Sequence, residues 1–258
     1  MRILSLNTWG GQRYHKLLEF VASHARPSHP HAVDVFCFQE VFDTTGGPAE
    51  SNGARMNLMS ELERVLLSYR SFYAPSEGGA DYQGNVSFPV SYGLAMFVVE
   101  GYKMGRMGSH FVHHGQTSGD KFCKKPRNVQ YVELCAGKDA MTVYNFHGVW
   151  NGNGKGDSED RLLQAGNIRA VLDKTPKRSV LIGDFNLTPE TESMRMLEGA
   201  NMRNLIKEYK VESTRTALYQ KPTKHADYAL VSRDMKVAAF TTIDNDVSDH
   251  QALYVEVY

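Results

Sequence analysis

The apolar positions of this chain come in short bursts, most too brief for a helix and bounded by glycine, proline or a polar residue. Residues 2–8 alternate loosely and stop at Asn7. The segment VDVFCFQE (33–40) is a nearly continuous apolar run with a polar end, the pattern of a buried strand. GLAMFVVE (93–100), NVQYVELC (128–135), MTVYNFHG (141–148) and RSVLIGDF (178–185) read as strands, as do ADYALVS (226–232), KVAAF (236–240) and ALYVEVY (252–258). Helical spacing at Tyr14, Leu17, Leu18 and Val21 predicts a helix over 13–24, stopped by Pro27 and Pro30. Met56, Met59, Leu62, Val65 and Leu66 predict a second over 54–67, behind Asn52 as its cap. A third is expected over 158–172, with Asp157 as cap and Asp160 three residues on. A short fourth runs from Thr191 to Glu198 and ends at Gly199.

The count is about ten strands against three or four helices, and the two kinds do not alternate regularly. A barrel of βα units and a Rossmann sheet therefore fit poorly. Two packed sheets with outer helices, an α+β fold in one domain over 1–258, fit better. With 258 residues the chain buries about three quarters of its unfolded surface and needs no covalent staple. Cys37, Cys123 and Cys135 are an odd number without a CxxC, which argues against a disulfide framework or a cysteine zinc site. Hydrophobic residues at 41% and charged residues at 22% exclude a largely disordered or collagen-like chain.

Lys+Arg and Asp+Glu both number 29, so no global field draws the molecule to nucleic acid or an anionic membrane. The charge is uneven, however. Residues 101–130 hold Lys103, Arg106, Lys121, Lys124, Lys125 and Arg127 against Asp120, and 203–224 are also basic. A local anion-binding face is compatible with this pattern. The first residues, MRILSLNTWGG, lack the long apolar stretch of a signal peptide, and no run approaches the ~18 residues of a membrane span. The expectation is a cytoplasmic monomer without membrane insertion.

The polar residues of chemical interest terminate apolar strands: Asn7 after LSL, Gln39 and Glu40 after VFCF, His147 after VYNF, Asp184 and Asn186 around GDFN. Strand ends often end in polar residues, but four such endings carrying Asn, Asp, Glu or His suggest one shared rim. Asn7, Glu40 and Asp249 are hard oxygen donors that suit Mg²⁺ or Mn²⁺. In GDFN an extended backbone would place Asp184 and Asn186 on one face, where they can align a water; an Asx turn is the plainer alternative. Asp249 and His250 can serve one site if SDH is a loop, with Asp227 as the carboxylate that orients His250.

The ordered set LNTW, FQEV, NFHG, GDFN, ADYALVS and SDH resembles the endonuclease/exonuclease/phosphatase superfamily, with matches from residue 7 to residue 250. The resemblance implies a four-layer α/β sandwich with the site at one end of two sheets. It implies metal ligation by Asn7, Glu40 and Asp249, with Asp184 activating the attacking water and Asn186 orienting it. It also implies that His250, paired with Asp227, and His147 contact the phosphate or assist the leaving group, their roles assigned jointly. The chain departs from the abasic-site branch at Trp9 and His147, and from the tyrosyl-DNA branch at Phe185. The implied activity is Mg²⁺-dependent phosphoester hydrolysis, with a phosphodiester of nucleic acid or nucleotides as the leading substrate. A phosphomonoester or lipid-headgroup substrate is the alternative, and a non-catalytic phosphate-binding protein a further one.

Outside this set, Arg127, Trp150 and Lys155 are the candidate substrate contacts. Trp150 and Lys155 sit in the glycine-rich WNGNGKGDSED, which reads equally as a flexible solvated loop and lacks Walker spacing. The aromatic segment 81–92 reads as packing or as a wall of the cleft, and His113 and His114 as exposed loop residues.

Overall fold

The computed structural model describes residues 1–115, 125–136, 139–174 and 178–258. Along the chain, β1 (Arg2–Asn7), α1 (Tyr14–His24) and β2 (Val35–Asp43) are followed by a small hairpin of β3 (Glu50–Ser51) and β4 (Ala54–Arg55). Then come α2 (Leu58–Val65), β5 (Tyr69–Gly78), β6 (Ser91–Val99), β7 (Lys103–His113), β8 (Arg127–Ala136) and β9 (Asp139–His147). The chain continues through α3 (Glu159–Leu172), β10 (Ser179–Asp184), α4 (Glu192–Glu198), β11 (Met202–Asn204) and α5 (Leu205–Glu208). It ends with β12 (Asp227–Ser232), β13 (Val237–Ile243) and β14 (Ala252–Val257).

Two six-stranded sheets result, in the orders β13-β14-β1-β2-β6-β5 and β11-β12-β10-β9-β8-β7. Each has one parallel pair at its centre, β1 with β2 and β9 with β10, and all other named pairings are antiparallel. The expected α/β sandwich of two mostly antiparallel sheets with outer helices is therefore the observed architecture. The burial of strand faces explains the layering. Leu4, Leu6, Phe36 and Phe38 pack in one cluster with Leu17, Val21, Leu58 and Leu62 of α1 and α2. The alternate residues Ile3, Val35, Cys37 and Met96 join Val129, Val143 and Val180 of the second sheet. With both faces covered, β2 has to be apolar at nearly every position, which is why it reads as a run rather than an alternation.

Toward one end the inner face turns polar, strand by strand. On β1 the inward positions run Ile3, Ser5, Asn7, on β2 Val35, Cys37, Gln39, and on β9 Val143, Asn145, His147. There the sheets are joined by side-chain amides. Gln39 Nε2 donates to Asn145 Oδ1 at 2.7 Å and to Ser5 Oγ at 3.0 Å. Asn145 Nδ2 donates back across the interface to Phe38 O at 3.0 Å and Ala95 O at 3.3 Å.

Several local expectations are corrected. Asn52 does not cap a helix: with Gly53 it forms the turn of the β3–β4 hairpin, and α2 begins only after Asn57. Ser158, not Asp157, caps α3, accepting from Arg161 N, while Asp157 crosses over to accept from Glu192 N and Ser193 N at the start of α4. β2 does not stop at Glu40 but runs on to Asp43 through a bulge between Phe38 and Val41. β5 escaped sequence reading because Pro75 interrupts it, a residue tolerated here on an edge strand beside a register shift. His113 is a buried residue at the end of β7 whose Nε2 lies 3.2 Å from Asp160 Oδ1, whereas His114 is exposed as expected. Cys123 and the bases Lys121 and Lys124 lie outside the described residues.

Asn145→Leu removes the amide bridge: Gln39 loses its cross-sheet acceptor, and Phe38 O and Ala95 O lose the Asn145 donor. The expected loss is about 1–3 kcal/mol in urea unfolding at neutral pH. An unchanged unfolding midpoint would show that the bridge does not hold the sheets together.

Candidate active site

The polar ends of both sheets converge on a cleft of about 410 Å³ lined by Glu40, His147, Asp184, Asn186, Asp249 and His250. Arg127, Trp150 and Lys155 line the same cleft. Asn7 and Asp227 lie buried behind it. Asp184 Oδ2 is the hub: Asn7 Nδ2 donates to it at 3.1 Å, and His147 Nε2 and His250 Nε2 lie 3.7 and 3.6 Å away. His147 Nε2 is also 3.8 Å from Glu40 Oε1, and His250 Nε2 is 3.6 Å from Asp249 Oδ1. The expected Asp227–His250 pair is present, with Nδ1 donating to both carboxylate oxygens at 2.8 and 2.9 Å.

The backbone is bent to serve this geometry. Glu40 (φ 59°) sits left-handed in the β2 bulge, and Asn186 (φ 53°) is left-handed beyond β10. Non-glycine residues rarely adopt that region, at a cost of about 1–3 kcal/mol each. GDFN is thus an Asx turn rather than extended chain, with Asn186 N donating to Asp184 Oδ1 at 2.9 Å. Both side chains still reach the cleft. Gly183 has φ 146°, and a Cβ there would lie 2.0 Å from Phe146 O, so only glycine brings β10 this close to β9. Gly10 plays the same part for Tyr82: its Cβ would meet Tyr82 Oη at 2.5 Å. That phenol donates to Glu40 Oε2 while Asn7 Nδ2 donates to Oε1 at 3.1 Å.

Burial and charge divide the titratable groups. Burial alone would raise the Asp184 pKa, but Lys155, His250, His147 and Arg215 outweigh it and hold the carboxyl well below the usual range. Burial, reinforced by Arg127, pushes His147 well below its ordinary value, so its imidazole is neutral. Burial also opposes protonation of His250, but Asp227 and Asp184 overcome it and raise that pKa. In this arrangement Arg215 Nη1 donates to His250 Nε2, so protonation of Nε2 requires the guanidinium to move away.

The glycine-rich loop is exposed at Gly152, Gly154 and Gly156, as expected, but it is pinned from beneath and its lysine is buried. Arg161, 1% exposed, reaches from α3 to donate to Val149 O at 3.2 Å and Gly154 O at 2.7 Å, and also to Gly156 O. This buries Lys155 to 7% exposure, with Nζ donating to Asn186 Oδ1. Burial lowers the Lys155 pKa to about 8 against the pull of Asp184. Trp150 stays at the rim, under the ammonium of Lys221 at 5.7 Å.

The donor set fits a hard divalent cation. Asp249 Oδ1 is buried without a hydrogen-bond partner, and Glu40 lines the same cleft. Asn7 is turned the other way: its Oδ1 accepts from Trp9 N at 3.0 Å, and its amide nitrogen faces Glu40 and Asp184. Asp184, Asp227 and His250 also bring ligand-capable atoms within 4.8 Å of one another. Both Asp227 oxygens already accept from His250 Nδ1, however, which makes this cluster an oriented carboxylate–histidine pair beside Asp184.

Sequence reasoning missed Arg215, Tyr219 and Lys221, which line the cleft from the segment between α5 and β12. The only signal was the basic bias of 203–224, which does not distinguish a buried arginine from solvated lysines. The aromatic segment 81–92 does wall the cleft, through Tyr82 and Tyr92.

Fold and site together define an α/β sandwich with a carboxylate–histidine centre at one end of its sheets. The chain belongs to the Endonuclease/Exonuclease/phosphatase family, whose model matches residues 4–250. That family consists of phosphoester hydrolases that generally depend on a divalent metal ion. Among solved structures, the chain is similar to an endonuclease/exonuclease/phosphatase from Beutenbergia cavernae (18% identity, TM-score 0.72, covering 100% of this chain and 71% of that one). It is also similar to a mannosyl-6-phosphatase from Bacteroides thetaiotaomicron (14%, TM-score 0.68, 100% and 99%). A third similar structure is the human Nocturnin catalytic domain with bound sulfate (16%, TM-score 0.63, 100% and 93%). A search of curated protein sequences gave no significant match. No helix among the described residues is long and apolar enough to cross a membrane.

The depressed Lys155 pKa makes a signed prediction. Between about pH 8 and 10.5 the unfolded chain holds the Lys155 proton and the folded chain does not, so stability rises with pH there. Relative to Lys155→Met, the wild type should gain stability across that window in paired urea titrations. A pH-independent difference would show that the ammonium is not buried as described.

Proposed function

We propose that this chain is a divalent-metal-dependent phosphoester hydrolase acting by in-line attack of water, with a phosphodiester of a nucleotide or nucleic acid as its leading substrate. The observation that carries the reading is the single hub at Asp184. An ionised carboxylate there faces two imidazoles at 3.6 and 3.7 Å, one of them oriented by Asp227. A Mg²⁺ or Mn²⁺ ion held by Glu40 and Asp249, with Asn7 behind them, would polarise the phosphate and lower the pKa of water. Asp184 would align the attacking water and accept its proton, and Asn186, fixed by Lys155 and Gly148 O, would orient it. His250, steered by Asp227, and the neutral His147 stabilise charge at the phosphoryl and leaving oxygens. Arg127 and Lys155 hold the phosphate.

The rim favours a nucleotide. Trp9, Trp150 and Tyr219 offer faces on which a base can stack, interleaved with Lys125 and Lys221. A second reading, a phosphomonoester of a small molecule, is favoured by the compact volume of about 410 Å³, which suits one terminal phosphate and its carrier.

The test is a hydrolysis panel with Mg²⁺, Mn²⁺ or EDTA. It would contain bis-p-nitrophenyl phosphate, p-nitrophenyl phosphate, single- and double-stranded DNA, RNA, nucleotides and a sugar phosphate. Metal-dependent cleavage is expected, with Asp184→Asn and Glu40→Gln each lowering kcat at least about a thousand-fold while unfolding normally. Near-normal turnover by either variant would overturn the assignment of the centre.

A further inference from the structure

Arg215 is 9% exposed and carries more donors than the described residues satisfy. Its backbone is stitched to the segment that bears Asp249 and His250. Gln251 N donates to Thr214 O at 2.9 Å, Thr216 N to Asp249 O at 3.3 Å, and Thr216 Oγ1 to Ser248 O at 2.7 Å. Its guanidinium lies over the Tyr219 ring, 4.0 Å from the centroid, which sets the plane of the group. Nη1 donates to Asp249 Oδ2 at 3.2 Å and to His250 Nε2. Nε is buried without a partner, and both of the guanidinium's side-chain hydrogen bonds among the described residues come from Nη1. Nε and Nη2 form the side edge of the guanidinium, the fork that grips two oxygens of one phosphate.

A buried Nε without a partner is costly unless something fills it. Its neighbours fix the group from two sides: Tyr219 against its face and Asp249 at Nη1. The same residue lines the cleft with Asp184 and Asn186. We infer that Arg215 is a phosphate-binding residue of this site, whose Nε–Nη2 edge takes two non-bridging oxygens of the substrate phosphate. The inference rests on the proposed hydrolase reading for its substrate, but not for the anion contact itself. Lysine cannot replace it, because an ammonium offers a point charge rather than a planar two-nitrogen fork.

The experiment measures binding of inorganic phosphate to the Mg²⁺-loaded protein by calorimetry, alongside steady-state hydrolysis, for wild type, Arg215→Lys and Arg215→Met. Both variants should bind phosphate about 10- to 100-fold more weakly and show KM raised by a similar factor, the scale of a lost charged hydrogen-bond pair. Added guanidinium ion should recover part of the loss in Arg215→Met, and methylammonium should not. Wild-type phosphate affinity and KM in a folded Arg215→Met would overturn the inference. If that variant fails to fold, Arg215→Lys decides: unchanged phosphate affinity overturns the inference, and weakened affinity sustains it. A wild type that binds phosphate through Arg215 yet cleaves nothing in the panel would sink the hydrolase reading while leaving the phosphate contact standing. A wild type that cleaves normally but binds phosphate independently of Arg215 would do the reverse.

Discussion

The hydrogen bond from Gln39 Nε2 to Asn145 Oδ1, 2.7 Å long and wholly buried, is the constraint on which the site depends. It ties the two sheets at one depth, and everything chemical is measured from it. Glu40 is the next residue after Gln39, and His147 lies two residues beyond Asn145 on the same face of β9. Hydrophobic packing can hold two sheets together without fixing how far one slides along the other. An amide pair can fix that slide, because a shift of one or two ångströms leaves buried donors and acceptors unpaired. The parallel pairs then carry the register outward, from Gln39 to Asn7 across β1 and from His147 to Asp184 across β10.

Beyond that bridge the protein concentrates unfavourable features in one place. Glu40, Asn186 and Trp9 hold left-handed backbone, and Asp184, Lys155 and Arg161 are charged groups removed from water. Each would be destabilising alone. Together they compensate: Lys155 faces Asp184 across Asn186, and the Arg161 guanidinium is hydrogen-bonded by loop carbonyls, with Asp157 and Asp184 supplying opposite charge. The arrangement presets donors and carboxylates before any substrate arrives, which is how electrostatic stabilisation of a transition state is obtained without reorganisation.

The sequence was most legible where one-dimensional pattern and three-dimensional role coincide. A strand buried on both faces needs a run such as VFCF, and a site at strand ends needs the polar residue that closes each run, so Glu40, His147 and Asp184 could be found together. Reading failed where a residue acts across the fold. Asp157 resembles the cap of the helix that follows it, yet its carboxylate accepts from the first two N–H groups of α4, whose own cap is Thr191. Lys155 sits among exposed glycines, and nothing local reveals that Arg161, holding the carbonyls of Gly154 and Gly156, accompanies its burial in the cleft. Arg215 lies in a segment with no apolar period, and its burial comes from the Asp249–His250 segment, more than 30 residues away in sequence. Strands β5 and β7 were lost for a related reason: few of their side chains are buried, and Pro75 interrupts β5, so neither carries the apolar pattern of a central strand.

The most direct test of this account is a crystal structure of the protein with Mn²⁺ and inorganic phosphate, with the metal located by its anomalous signal. One peak bonded to Glu40 and to Oδ1 of Asp249 is expected, with the phosphate between Asp184 and the Arg215 edge. A metal seated instead on Asp227 and His250, or a phosphate bound away from Asp184, would contradict it.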